Sequence, residues 1–148
     1  MIEKCIENWH RQIRGEFPGG LDELLADDVV FYSPIVFTPQ KGKEITKLYL
    51  GAAASTFTDG AKAGGAPSLE GSKFRYTKQV LSGNQAILEF ESEVDGVVVN
   101  GVDILTVDEE GRIVEFKVML RPLKAIELMH AKMRDALAQL SDGSATTG

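Results

Sequence analysis

Asp103 is the residue with the most chemistry to offer. In the run Val99-Asn100-Gly101-Val102-Asp103-Ile104-Leu105-Thr106-Val107, alternate positions share one side of a strand, which aligns Asp103 with Val99, Gly101, Leu105 and Val107. A carboxylate on such a face loses hydration, so its pKa rises unless a donor reaches it. Neutral in an apolar cavity, it can donate a hydrogen bond to a substrate oxygen or act as a general acid; ionised, it can act as a base. It can equally be a structural aspartate satisfied by Trp9 or another polar group from a covering helix. Trp9 donates through its indole N–H but cannot shuttle a proton, and Tyr76 offers a phenol if its strand turns it inward.

Other residue types invite weaker readings. His10 sits one residue off the apolar stripe of the first helix and reads as a surface histidine, while His130, beside Met129, reads as partly buried packing or a dimer contact. Glu89, Glu91 and Glu93 fall on one side of a strand and form a solvated or cross-strand-paired row, whereas a cation site needs converging oxygens. Gly60, Gly64 and Gly65 follow no strand and precede no helix, so they build no phosphate loop. Met129 and Met133 read as helix core. Cys5 with two histidines is too thin a set for zinc. No metal and no cofactor are expected.

These side chains must be carried by elements. Ile2, Cys5, Ile6, Trp9 and Ile13 recur at helical spacing until Gly15 and Pro18-Gly19-Gly20 stop the pattern. Leu21, Leu24 and Leu25 make a short second helix, and Val29-Val30-Phe31-Tyr32, closed by Pro34, a short edge strand. A third helix starts at Lys43 (Ile45, Leu48, Tyr49, Ala52, Thr56) and fades into a mobile Gly- and Ala-rich loop over 58–67. Four β-rich segments follow, 73–82, 85–94, 97–107 and 112–121, separated by turn residues and read as an antiparallel meander. Pro122 opens a last helix lined by Leu123, Ile126, Met129, Met133, Leu137 and Leu140. Helices first, then a curved antiparallel sheet, then a helix make an α+β plan.

Closing one hairpin at Asp95-Gly96 pairs Val94 with Val97 and places Leu88 opposite Asp103; closing the next with Asp108–Gly111 pairs Val107 with Arg112 and places Phe116 opposite Asp103. One face then collects Leu88, Phe90, Leu105, Val114, Phe116, Val118 and Leu120, with Asp103 among them. The other mixes Ile87, Val98, Val102, Ile104, Ile113 and Met119 with charges, which suggests pairing of two copies. In 73–82, a two-residue Gly83-Asn84 turn turns Gln79 inward, whereas hydrophobicity favours Phe74, Tyr76 and Val80 inward with a bulge; the second register is adopted. The cavity is expected to be closed by Trp9, Phe31, Ser33, Phe57, Leu88, Phe90, Asp103, Leu105, Phe116, Val118 and Leu120.

Composition bounds the rest. With 148 residues, 43% of them hydrophobic, the chain has material for one core, read as a single domain over 1–140 and a disordered tail over 141–148. A net charge of −6 without a basic cluster argues against nucleic acid. No run reaches the roughly 18 apolar residues of a membrane span, and MIEKCIENWH is not a signal peptide, so a cytoplasmic protein is expected.

Four stretches carry a resemblance: Leu21–Pro34 (LDELLADDVVFYSP), Gly42-Lys43-Glu44-Ile45, Gly101-Val102-Asp103 and Gly111–Glu115. Together they resemble a SnoaL-like protein of the nuclear transport factor 2-like superfamily, which includes ketosteroid isomerases, polyketide cyclases, limonene epoxide hydrolases and scytalone dehydratases. The resemblance implies a cystatin-like cone over roughly residues 1–140, and makes Asp103 match the protonated aspartate that the isomerases use as an oxyanion donor. Where they carry a proton-transferring Asp before the proline ending the first strand, this chain has Ser33 before Pro34, and Trp9 falls near their oxyanion Tyr. The Asp-Arg-Asp set of the epoxide hydrolases is met only at Asp103, because Arg121 has outer parity and Arg75 is inward only in the rejected register.

The reading is a homodimeric cone that binds a hydrophobic small molecule. If it is an enzyme, cofactor-independent isomerisation, cyclisation or dehydration is expected, with Asp103 carrying the proton and Trp9 or Tyr76 positioning an oxygen. The alternative is a non-catalytic binding or interaction dimer.

Overall fold

The structure, a computed structural model, describes residues 2–58 and 72–146. Helix α1 (Ile2–Ile13) leads to α2 (Gly20–Leu24), β1 (Leu25–Tyr32), β2 (Gln40–Lys41) and α3 (Lys43–Phe57); β3 (Arg75–Ser82), β4 (Gln85–Val94), β5 (Val97–Val107), β6 (Ile113–Arg121) and α4 (Leu123–Thr146) follow. The strands form one curved sheet in the order β2-β1-β6-β5-β4-β3, with the helices packed on its inner face, as the α+β cone requires. Ile2, Cys5, Ile6 and Trp9 of α1 are buried together with Leu88, Leu105 and Phe116 of the sheet. A second cluster joins Phe57 and Phe90 to Val94, Val99, Ala125 and Met129 beneath α4.

The meander forms, but the sheet is mixed. β1 is neither short nor an edge: it runs eight residues, pairs antiparallel with β2 on one side and lies parallel to β6 on the other. Gly42 makes the return into α3 possible, at a φ of 113° that suits glycine, with its N–H bonded to Val29 O at 2.8 Å. α4 continues as helix to Thr146, beyond Leu140 where its apolar pattern stops, while residues 147–148 and most of the 58–67 loop lie outside the described residues.

Asp95 (φ 50°) and Gly96 (φ 79°) close the β4–β5 hairpin, so Val94 pairs with Val97 and Leu88 with Asp103 as expected. The β5–β6 register needs correction. Asp108 Oδ1 accepts the N–H groups of Glu110 and Arg112, which keeps Arg112 in the turn. Val107 therefore pairs with Ile113, and a bulge at Val114 adds one more residue. The two additions cancel in parity. Phe116, Val118 and Leu120 keep the inner face, but Val118 rather than Phe116 lies across from Asp103, and Ile113 is buried where Val114 was expected.

β3 combines both registers that its sequence allows. The Gly83-Asn84 turn has two residues, pairing Ser82 with Gln85 and setting Gln79 opposite Leu88, while Val80 turns outward at 49% exposure, against expectation. A bulge at Thr77 then switches parity and sets Tyr76 opposite Phe90 on the inner face.

Candidate functional site

Three elements deliver three polar side chains to one point. Trp9 reaches in from the buried stripe of α1, Tyr76 from β3 and Asp103 from β5. Trp9 Nε1–H donates to the Tyr76 hydroxyl at 2.8 Å, and that hydroxyl donates to Asp103 Oδ2 at 2.7 Å. Each ring is held from the side: Trp9 meets Phe116 edge-on at 5.2 Å, and Tyr76 contacts His10, Phe74 and Phe90 edge-on. Without the Thr77 bulge, strand parity would point Tyr76 away from Asp103.

Asp103 is 5% exposed. Burial pushes its carboxyl up to about 7, against the opposing pull of the hydrogen bond from Tyr76, which favours the charged form. Tyr76 is raised well above the usual phenol range by burial, by the adjacent Asp103 charge and by its donation to that carboxylate, with the Trp9 bond acting the other way. Tyr76 therefore stays protonated at neutral pH. It orients Asp103 while Asp103 itself titrates. The described residues give Asp103 Oδ1 no hydrogen-bond partner, and Asp103 lines a cavity.

That cavity holds about 400 Å³, within the range of small-molecule sites. Phe31, Phe57, Phe90, Phe116, Val118 and Leu120 line it. Leu88 and Leu105 do not: both are fully buried in the core behind it. Ser33 does not either, because its Oγ turns back to accept the N–H groups of Ile35 and Val36, and Pro34 lines the wall instead. Met129 and Met133, expected only as helix core, also border the cavity.

Several lining residues escaped sequence reasoning. Gly51, Ala53 and Ala54 of α3 leave open space where larger residues would fill it, and small residues give no apolar signal to find. Gln12, Asp22 and Lys47 bring polar groups to the lining, with Lys47 Nζ donating to Asp22 Oδ1 at 2.8 Å. A cue existed for Lys47, which precedes Leu50, Gly51 and Ala54 at helical spacing.

The remaining candidates fall outside the cavity. His10 is half-buried and bonds Gln79 through its ring at 2.8 Å, whereas His130 is exposed, not partly buried. Glu91 and Glu93 pair across strands with Arg75 and Lys73, and Glu89 accepts from Asn100, so the row is a cross-strand ladder. Arg75 and Arg121 are exposed, which brings no arginine to Asp103. No group of ligating side chains suited to a metal occurs among the described residues, and no described helix is long and apolar enough to cross a membrane.

Residues 6–116 match the model of a SnoaL-like domain. Among solved structures, a steroid delta-isomerase from Pseudomonas aeruginosa is 28% identical, with 95% of this chain and 94% of that one covered at a TM-score of 0.80. A cystatin-like-fold protein from Silicibacter pomeroyi is 26% identical over 96% and 88% of the two chains, at a TM-score of 0.73. A nuclear transport factor 2-like protein from Mesorhizobium loti shares the fold at 20% identity, over 82% and 93% of the chains, at a TM-score of 0.61. No curated protein matches the chain.

Proposed function

The chain belongs to the SnoaL-like domain family, and on that premise we propose that it converts a hydrophobic small molecule by cofactor-independent acid–base chemistry of the isomerase, cyclase or dehydratase type. The observation that carries this reading is the Trp9–Tyr76–Asp103 chain, which commits one carboxyl oxygen to protein and leaves the other for a ligand. With its carboxyl at about 7, Asp103 is present in both forms near neutral pH, the condition that suits a single group to take and return a proton. Neutral, it donates from Oδ1 to a ligand oxygen, and the carboxylate left after transfer is steadied by Tyr76. Ionised, it removes a proton from a carbon beside a carbonyl. The likeness to the steroid delta-isomerase supports the class of reaction and names no substrate for this chain.

The test is a thermal-shift screen of the protein and Asp103→Asn against cyclic ketones, polyketide-like aromatics, terpene epoxides and fatty acids, followed by turnover of any ligand that binds. A ligand at 100 times its Kd stabilises by about 2.7 kcal/mol. Turnover that Asp103→Asn abolishes while binding persists supports the reading. Binding without turnover in either protein favours the alternative, a non-catalytic binding protein. The engagement of Ser33 Oγ in its own turn favours that alternative, since it leaves no second proton carrier at that position.

The reading includes a homodimer formed through the outer sheet face, where Ile87, Val98 and Met119 stand 42%, 57% and 52% exposed. Sedimentation of the protein as a dimer, and of Val98→Lys as a monomer, supports it. A monomeric wild type at every concentration refutes it.

A further inference from the structure

Two adjacent residues of α1 reach the same short stretch of β3. Trp9 donates to the Tyr76 hydroxyl. His10 meets the Tyr76 ring edge-on, with centroids 5.4 Å apart and planes at 76°, and its Nε2 lies 2.8 Å from Gln79 Oε1. The amide oxygen of Gln79 accepts, so His10 Nε2 carries the proton of this bond, as it does in the cationic ring and in one neutral tautomer. The bond therefore needs no charge on His10.

These contacts straddle the irregular point of β3. The strand ends the sheet, with β4 as its one neighbour among the described strands, and the bulge at Thr77 interrupts that pairing one residue after Tyr76. In a regular strand, residues three apart face opposite sides of the sheet. The bulge instead brings Tyr76 and Gln79 to one side, opposite Phe90 and Leu88, where a single imidazole touches both. His10 is a brace across the bulge: the Gln79 bond holds its ring, and that ring bears on Tyr76. The Phe74 and Phe90 contacts with the Tyr76 ring come from β4 and from the residue preceding β3, so they do not tie it to the helix.

We propose that His10 is a positioning residue of the acid–base site: braced on Gln79, it sets the rotation of the Tyr76 ring and so keeps the Tyr76 hydroxyl on Asp103 Oδ2. It lies outside the cavity lining and acts on Asp103 through Tyr76. The bond from Tyr76 is what holds the Asp103 carboxyl down against burial, so a loosened Tyr76 leaves that carboxyl higher. This inference rests on the acid–base reading of Asp103 above.

The test is a carboxyl carbon-13 titration of Asp103 in aspartate-labelled wild type and two variants. His10→Phe keeps a ring beside Tyr76 but loses the bond; Gln79→Leu keeps His10 and removes its acceptor. His10 is half-buried and Gln79 exposed, so both variants should fold. Each should raise the Asp103 midpoint from about 7 by about half a pH unit, the scale of one exposed hydrogen bond, and the double variant should raise it no further. In a Tyr76→Phe background, His10→Phe should add no shift, because the hydroxyl it positions is gone. A wild-type midpoint near 7 that neither variant moves overturns the proposal and leaves the acid–base reading standing. A shift in His10→Phe alone assigns the effect to the imidazole's charge, and a shift that persists in the Tyr76→Phe background assigns it to a path other than Tyr76; either overturns the proposal. A wild-type midpoint near 3.9 defeats the acid–base reading itself, and this proposal falls with it.

Discussion

Tyr76 donates its hydroxyl proton to Asp103 Oδ2 at 2.7 Å, and that bond engages one carboxyl oxygen while the described residues give Oδ1 no partner. Because Trp9 donates to the same hydroxyl, Tyr76 is held from both sides and keeps its proton. The arrangement makes Asp103 the titrating member of the three, and the proposed chemistry runs through its Oδ1.

A stability profile follows from the raised carboxyl. Asp103 binds its proton more tightly in the folded protein, at about 7, than in the unfolded chain, at about 3.9. Its contribution to stability is therefore complete below about pH 4 and is lost as pH rises through 7, on the order of 4 kcal/mol in total. Denaturant titrations of the wild type and Asp103→Asn should diverge over that window, with the wild type losing ground to the variant as pH rises. Parallel profiles would show that burial does not raise this carboxyl.

Tyr76→Phe removes the one hydrogen bond that lowers the Asp103 pKa and leaves Trp9 Nε1 without its acceptor. The pH at which the decline in stability levels off, near 7, should move upward, and the fold should lose about 1–3 kcal/mol for its unpaired buried groups. A shift of that upper limit to lower pH would show that Tyr76 favours the neutral acid instead.

Gly51 lines the cavity and leaves part of it open. As a helical glycine with open space at its Cβ position, it should accept Gly51→Ala with a gain of about 0.5–1 kcal/mol. Gly51→Leu should instead fill the cavity and abolish ligand binding while melting remains cooperative. Undiminished binding in Gly51→Leu would place the ligand elsewhere.

Gly101 behaves oppositely. A Cβ there would stand 2.4 Å from Phe90 Cζ, 2.7 Å from Leu120 Cδ2 and 2.8 Å from the Met119 carbonyl oxygen. Overpacking on both sides predicts that Gly101→Ala costs about 1–3 kcal/mol by chemical denaturation and distorts the floor beside Asp103. A neutral substitution would mean that the β5–β6 register is looser than described.

Legibility in the sequence followed the physics of each element. The Asp95-Gly96 turn has one way to close, so the pairing of Leu88 with Asp103 could be read directly. The bulges at Thr77 and Val114 could not be placed, because an inserted residue changes strand parity without a compositional mark. Spacing alone sets Phe116 opposite Asp103, because it marks neither Arg112 as a turn residue nor the Val114 bulge that together bring Val118 there. Trp9, Tyr76 and Asp103 were each recognisable by type, yet their order of donation depends on distances that no spacing encodes. Leu88 and Leu105 share the inner face with Asp103 but lie under α1, so strand parity alone could not separate core from cavity wall. Helical spacing puts Lys47 on the face of Leu50, Gly51 and Ala54, but that this face meets the cavity depends on how α3 packs over the sheet.

The most direct test of the central claim, that Asp103 is a neutral-pH acid–base group, is a carboxyl carbon-13 NMR titration of aspartate-labelled protein beside Asp103→Asn. One resonance with a midpoint near 7, absent from the variant, is the result expected. If the resonance that disappears in Asp103→Asn titrates near the ordinary value of about 3.9, Asp103 is an ionised structural carboxylate and the proposed chemistry fails.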